Sequence, residues 1–147
     1  MHGLYLEDLT VGMSAAFSKT ITEADILLFS AVCGDTNPGQ LEHEAAATTL
    51  FKGRVAHGML SASLLSTVFG TKLPGPGAIY VSQNIRFTAP VRISDTVVAR
   101  VTVESIDMVK RFVKFSCVCT VGNKSVIEGD ATLRVSARPA IEAAAAE

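Results

Sequence analysis

Apolar and polar positions change their period once along the chain. Before residue 78 most apolar residues recur at helical spacing; from Ala78 onward they alternate or run in short β-branched stretches. Met13 to Thr20 mixes the two types and reads as a strand. Thr22 then offers an N-cap, with Glu23 and Asp25 in the first turn, where the helix dipole favours acids. Ile26, Leu27, Phe29, Ser30 and Cys33 form the stripe of a helix that ends near Gly34. Asp35 to Leu41 is dense in turn formers and predicts a loop. Glu42 to Leu50 is alanine-rich and predicts a short helix, broken by Lys52-Gly53-Arg54. Val55 to Phe69 is the most apolar stretch and predicts a helix covered on most sides. Leu73-Pro74-Gly75-Pro76-Gly77 forces a turn after it.

Four stretches follow that are rich in Val, Ile, Thr and Phe: Ile79 to Thr88, Asp95 to Ile106, Val109 to Val121 and Ser125 to Val135. Short turns separate them at Ala89-Pro90-Val91, Asp107-Met108 and Gly122-Asn123, so they predict antiparallel strands. Helices first and strands after is the segregated pattern of an α+β fold. One buried helix followed by a meander predicts a sheet curled around that helix.

Composition narrows the function classes. The chain has 147 residues, 48% hydrophobic and 18% charged, which suits one folded domain, taken as residues 1–139. The Ala/Glu tail at 140–147 is read as flexible. Thirteen basic against 14 acidic residues leave a net charge of -1, no basis for a nucleic-acid or anionic-membrane partner. No apolar run reaches the ~18 residues that cross a bilayer. The first residues, Met1-His2-Gly3-Leu4-Tyr5, lack the basic start and apolar middle of a signal peptide. Cys117 and Cys119 share a strand face, and with Cys33 they are read as reduced, packed thiols in a cytoplasmic protein. No Cys, His and carboxylate cluster has metal-ligand spacing, and no glycine fingerprint for a dinucleotide is present, so no metal or organic cofactor is expected.

Three segments carry candidate chemistry. Gly34-Asp35-Thr36-Asn37-Pro38-Gly39-Gln40, then Ala45-Ala46-Ala47-Thr48-Thr49, then Ala56-His57-Gly58-Met59-Leu60 resemble the MaoC-like hydratases and dehydratases, above all the (R)-specific enoyl-CoA hydratases. Ile79-Tyr80, Gln83, Phe87, Pro90-Val91 and Asp95 extend the likeness, which spans about Leu6 to Val135. The resemblance implies the hot-dog fold, an antiparallel sheet wrapped around a long helix, with short helices in an overhanging catalytic loop. It also implies a homodimer or higher homo-oligomer. The implied substrate is an acyl-CoA or acyl-carrier-protein thioester, and the implied reaction is reversible hydration of trans-2-enoyl-CoA to (R)-3-hydroxyacyl-CoA.

The family motif is Asp-x-Asn-Pro-x-His, whose Asp and His hold one water for addition across the double bond. Asp35 is then the catalytic carboxylate, and the backbone N–H of Gly58 polarises the thioester carbonyl. Asn37, His57 and Ser66 join the substrate-binding set, although His57 also reads as a structural ring bonded to a nearby carbonyl. The position of the family's His is Gln40, which can hold a water but cannot take up a proton near neutral pH. Impaired turnover is therefore expected, either in a His-substituted form or in a natural thioester-binding relative. His43 lies one turn beyond and is read as a solvated helix residue. Lys52 and Arg54 are read as solvated charges that could also meet CoA phosphates. A hot-dog thioesterase usually keeps a carboxylate on or beside its central helix; Gly58 to Phe69 contains none.

Overall fold

The structure, a computed structural model, describes residues 1–41 and 54–140. The expected helix at Glu42 to Leu50, with His43 and Lys52, lies outside the described residues, as does the tail beyond Ala140.

Five strands form one antiparallel sheet: β1 (Ser14–Thr20), β2 (Ile79–Phe87), β3 (Thr96–Asp107), β4 (Phe112–Val121) and β5 (Lys124–Arg134), in the order β1-β3-β4-β5-β2. A short 3-10 turn at Leu6–Asp8 precedes three α-helices among the described residues, α1 (Glu23–Cys33), α2 (Pro38–Leu41) and α3 (Gly58–Thr71). α3 packs against β3, β1 and β4, so the sheet curls around it as the hot-dog fold requires. The inward positions of β3 alternate strictly: Val97, Ala99, Val101 and Val103 are buried. Val113, Phe115, Cys117 and Cys119 continue that surface on β4. They face Leu60, Leu64, Leu65, Val68 and Phe69 of α3, and the Phe69 and Phe115 rings meet edge to face. This apolar seam gives the helix its place, at about 1.5–3 kcal/mol per fully buried side chain.

α1 starts and stops where its sequence says. Thr22 Oγ1 accepts the Asp25 N–H, Asp25 Oδ2 accepts the Thr22 N–H, and Gly34 closes the helix in the left-handed region with φ +81°. Its expected stripe is only partly buried: Ile26 and Ser30 are covered, whereas Leu27 and Cys33 are exposed. The β3–β4 turn is longer than expected. Asp107 Oδ1 accepts the N–H groups of Val109 and Lys110, holding residues 108–111 as a turn, so Val109 is exposed and β4 begins at Phe112.

α3 is covered on one side only. Met59, Ser63, Ser66 and Gly70 form an exposed stripe along it, where the sequence predicts cover on most sides. The edge strand β2 is also largely exposed, with Ile79, Tyr80 and Val81 about half accessible.

Candidate active site

The loop after α1 carries the motif. Asp35 Oδ1 accepts the Asn37 N–H at 3.2 Å, and Asn37 Oδ1 accepts the Gly39 N–H at 2.9 Å. These two turns bend the chain into α2, whose first residue is Pro38, a residue suited to a helix start. Asn37 is thus occupied in shaping the loop. Asp35 is exposed, and its second carboxylate oxygen is not engaged in that turn.

The segment 54–57 passes behind this loop and leads into α3. Val55 N–H donates to the Gly39 carbonyl at 3.2 Å, and Ala56 N–H donates to Val91 at 2.7 Å. His57 is buried; its Nε2 lies 3.0 Å from the Asp35 carbonyl oxygen and 3.2 Å from Ser30 Oγ. A carbonyl only accepts, so Nε2 carries the proton there. Nδ1 is buried and without a partner. The ring also leans against Phe29, with centroids 5.1 Å apart. This is the structural bond to a nearby carbonyl expected of His57.

Arg54 corrects its sequence reading. It is neither a solvated charge nor free to meet a phosphate: it is 6% exposed, its Nε donates to the Gln40 carbonyl at 2.8 Å, and Nη1 pairs with Glu23 at 2.8 Å.

Asp35, Gln40, His57, Gly58 and Met59, with Phe29 and Cys33, line one cleft of about 320 Å³. Gln40, Gly58 and Met59 also wall a larger, mostly apolar cavity of about 520 Å³, which runs on past Ser61, Phe87, Val91 and Ile127. Gly58 opens α3, so its N–H belongs to the first turn, whose amides have no partner within the helix. The side-chain oxygen Oε1 of Gln40 is buried and unpartnered. Thus Asp35, Gln40 and Gly58 line one cleft, and the last two also border the larger space. That set can hold a water and an oxyanion side by side.

Ser66 stands apart. It lies on the exposed stripe of α3 and lines neither space in the single chain. Ser61, which the sequence reading passed over, is 1% exposed, and its hydroxyl has no partner. Its position one helical turn after His57 was the available signal. Among the described residues no group of His, Cys, Asp and Glu could hold a metal, and no helix is long and apolar enough to cross a membrane.

Comparisons with known proteins converge. Residues 9–126 match the MaoC-like domain family. The chain is 56% identical over 134 residues to an (R)-specific enoyl-CoA hydratase of Rhodospirillum rubrum, covering 91% of this chain and 93% of that protein. It is 44% identical over 132 residues to a 3-hydroxybutyryl-CoA dehydratase of Methylorubrum extorquens, covering 90% and 84%. Among solved structures, the unliganded R-hydratase PhaJ1 of Pseudomonas aeruginosa superposes with a TM-score of 0.87 at 38% identity, covering 93% of this chain and 88% of that one. An (R)-hydratase of Aeromonas caviae involved in PHA biosynthesis gives 0.85 at 35% identity, covering 88% and 98%.

Proposed function

This chain belongs to the MaoC-like domain family, and from that we propose that it is a lyase adding water reversibly to a trans-2-enoyl-CoA to give the (R)-3-hydroxyacyl-CoA. The observation that carries the reading is the single cleft lined by Asp35, Gln40 and Gly58. The thioester carbonyl sits at the Gly58 N–H, where the helix dipole and a first-turn amide stabilise enolate charge. Asp35 and Gln40 hold the water. As its oxygen bonds to C3, its O–H bond breaks and the proton passes to the Asp35 carboxylate; the π electrons move into the thioester enolate, and the carboxylic acid returns the proton to C2. Asp35 is the one member of the pair that can carry that proton, because an amide neither gains nor loses one near neutral pH. Relative to a complete acid–base pair the rate is lowered by about 10² to 10⁴. The 520 Å³ cavity adjoining Gln40 and Gly58 is large and apolar enough for the adjoining part of the thioester.

The direct test follows the loss of enoyl-thioester absorbance with a short trans-2-enoyl-CoA, together with chiral analysis of the product. Slow hydration to the (R) alcohol is expected. Release of free thiol would make the chain a thioesterase instead. Tight thioester binding without any hydration would make it a binding protein, the second reading, which Gln40 favours. Repeating the assay with acyl-carrier-protein thioesters separates the two carriers.

The working unit is a homodimer. β2 is an edge strand with exposed apolar residues, and α3 has an exposed face; a second copy covers both. In that arrangement Ser66 faces the partner subunit and reaches the site from there. Light scattering at micromolar concentration should give twice the chain mass; a stable monomer would count against it. The three free cysteines suit a reducing compartment, the cytoplasm. The reaction needs no cofactor.

A further inference from the structure

Four polar or charged residues are buried among the described residues: Ser30, Arg54, His57 and Ser61. Three of them act on one loop. His57 Nε2, also bonded to Ser30 Oγ, holds the carbonyl of Asp35, where the loop begins. Arg54 Nε holds the carbonyl of Gln40, five residues on. The two candidate groups for the water are thus pinned at their own backbones, by side chains three residues apart in the segment that leads to Gly58. We propose that Arg54 is a positioning residue for the hydration step: it sets where the side chain of residue 40 stands relative to Asp35 and the Gly58 N–H. This rests on the lyase reading.

A role in stability alone does not explain Arg54. The guanidinium is 6% exposed, its Nη2 is buried without a partner, and its acidic partner Glu23 is mostly in solvent. A buried charge with an unsatisfied nitrogen is a poor stabilising device, and an apolar side chain of similar volume often replaces one without loss. What the guanidinium supplies is direction. Its planar fork fixes two acceptors at once, the Gln40 carbonyl and Glu23 on α1, which a flexible ammonium does not do. Residue 40 is thereby tied to α1 on one side and to the start of α3 on the other. A shift of about 1 Å in such a group can change a rate by about 10²-fold.

The test is a double-substitution cycle between Arg54→Met and Gln40→Ala, with unfolding measured on every protein. If Arg54 acts through residue 40, Arg54→Met lowers kcat by about tenfold or more, changes KM for a short trans-2-enoyl-CoA little, and has no further effect once Gln40 is alanine. Binding of the (R)-3-hydroxyacyl product weakens as well, because the product carries the oxygen that residue 40 contacts and the enoyl substrate does not. Arg54→Lys keeps the charge without the fork and should recover only part of the rate; it also carries the test if Arg54→Met does not fold. Equal losses with and without the Gln40→Ala change, or an unchanged kcat, overturn the proposal. If the wild-type chain shows no hydration at all, the lyase reading falls, and product-thioester binding decides the Arg54 role through the same cycle. Weakening that disappears in the Gln40→Ala chain upholds it; weakening in both backgrounds, or in neither, overturns it.

Discussion

The Phe87 ring occupies the space that a β-carbon on residue 58 would need: an ideal Cβ there would lie 2.7 Å from the ring's Cε1. The end of the edge strand β2 therefore packs onto the first residue of α3. Any residue larger than glycine at position 58 therefore has to displace that ring.

Gly58→Ala should destabilise the chain by at most about 1 kcal/mol, because the exposed Phe87 ring can swing aside. Phe87→Leu in the same chain should remove most of that cost, because the two changes share one clash and cannot be additive. Urea unfolding of the two single variants and the double variant checks it. Additive losses would place the strain elsewhere.

Gln40→His should restore a group that exchanges protons. Hydration of a short trans-2-enoyl-CoA should rise by at least about 10²-fold in kcat, with little change in binding. The gain should vanish when Asp35→Asn is added, because both groups serve one water. An unchanged rate in Gln40→His, with ordinary turnover already in the wild type, would put the base elsewhere, and His43 is the first residue to examine.

The three thiols should separate by reactivity. Cys33 is exposed, whereas burial pushes Cys117 up to about 11 and Cys119 up to about 12. At pH 8 a disulfide reagent should titrate one thiol quickly in the native protein and all three after unfolding. Fast labelling of Cys117 or Cys119 would mean that the α3–sheet seam opens readily.

Asp25 should contribute to the acid limb of stability. Desolvation raises its pKa, but the hydrogen bonds from Thr22 and Lys19 and the Lys19 charge outweigh that and lower it below 3.8. A carboxyl lowered on folding stabilises the protein above its unfolded pKa, and that contribution is lost as pH falls through the lower folded value. Asp25→Asn should therefore reduce stability at neutral pH and flatten its decline below about pH 4. An unchanged pH profile of thermal unfolding would contradict this.

The fold was largely legible because its signals are local. Alternation along Val97, Ala99, Val101 and Val103 and the Thr22 cap gave their elements within a residue or two. The exceptions are tertiary. Val55 to His57 looks helical by hydropathy, yet α3 starts at Gly58 because Val55 and Ala56 donate to carbonyls of other segments. At the site, the Asp35 and Gln40 register followed from the motif, since residues so close in sequence share a loop. Arg54 did not, because its partner Glu23 lies 31 positions away and a basic residue gives no sign of burial. The Phe87 contact with Gly58 was hidden for the same reason.

The strand order separates local pairings from long-range ones. β3, β4 and β5 are neighbours in sequence and in the sheet, so this meander closes through short turns. The strands that come first in the chain occupy the two edges: Ser14 pairs with Thr102, and Ile79 with Arg134. Both pairings close long loops, whose entropic cost must be met before contacts repay it. The meander should therefore form before β1 and β2 add at its edges, and folding rates of core variants in β4 against variants in β1 would check it. In the native state the same asymmetry should run backwards: amide protons on the edge strands β1 and β2 of a single chain should exchange before those of β3, β4 and β5.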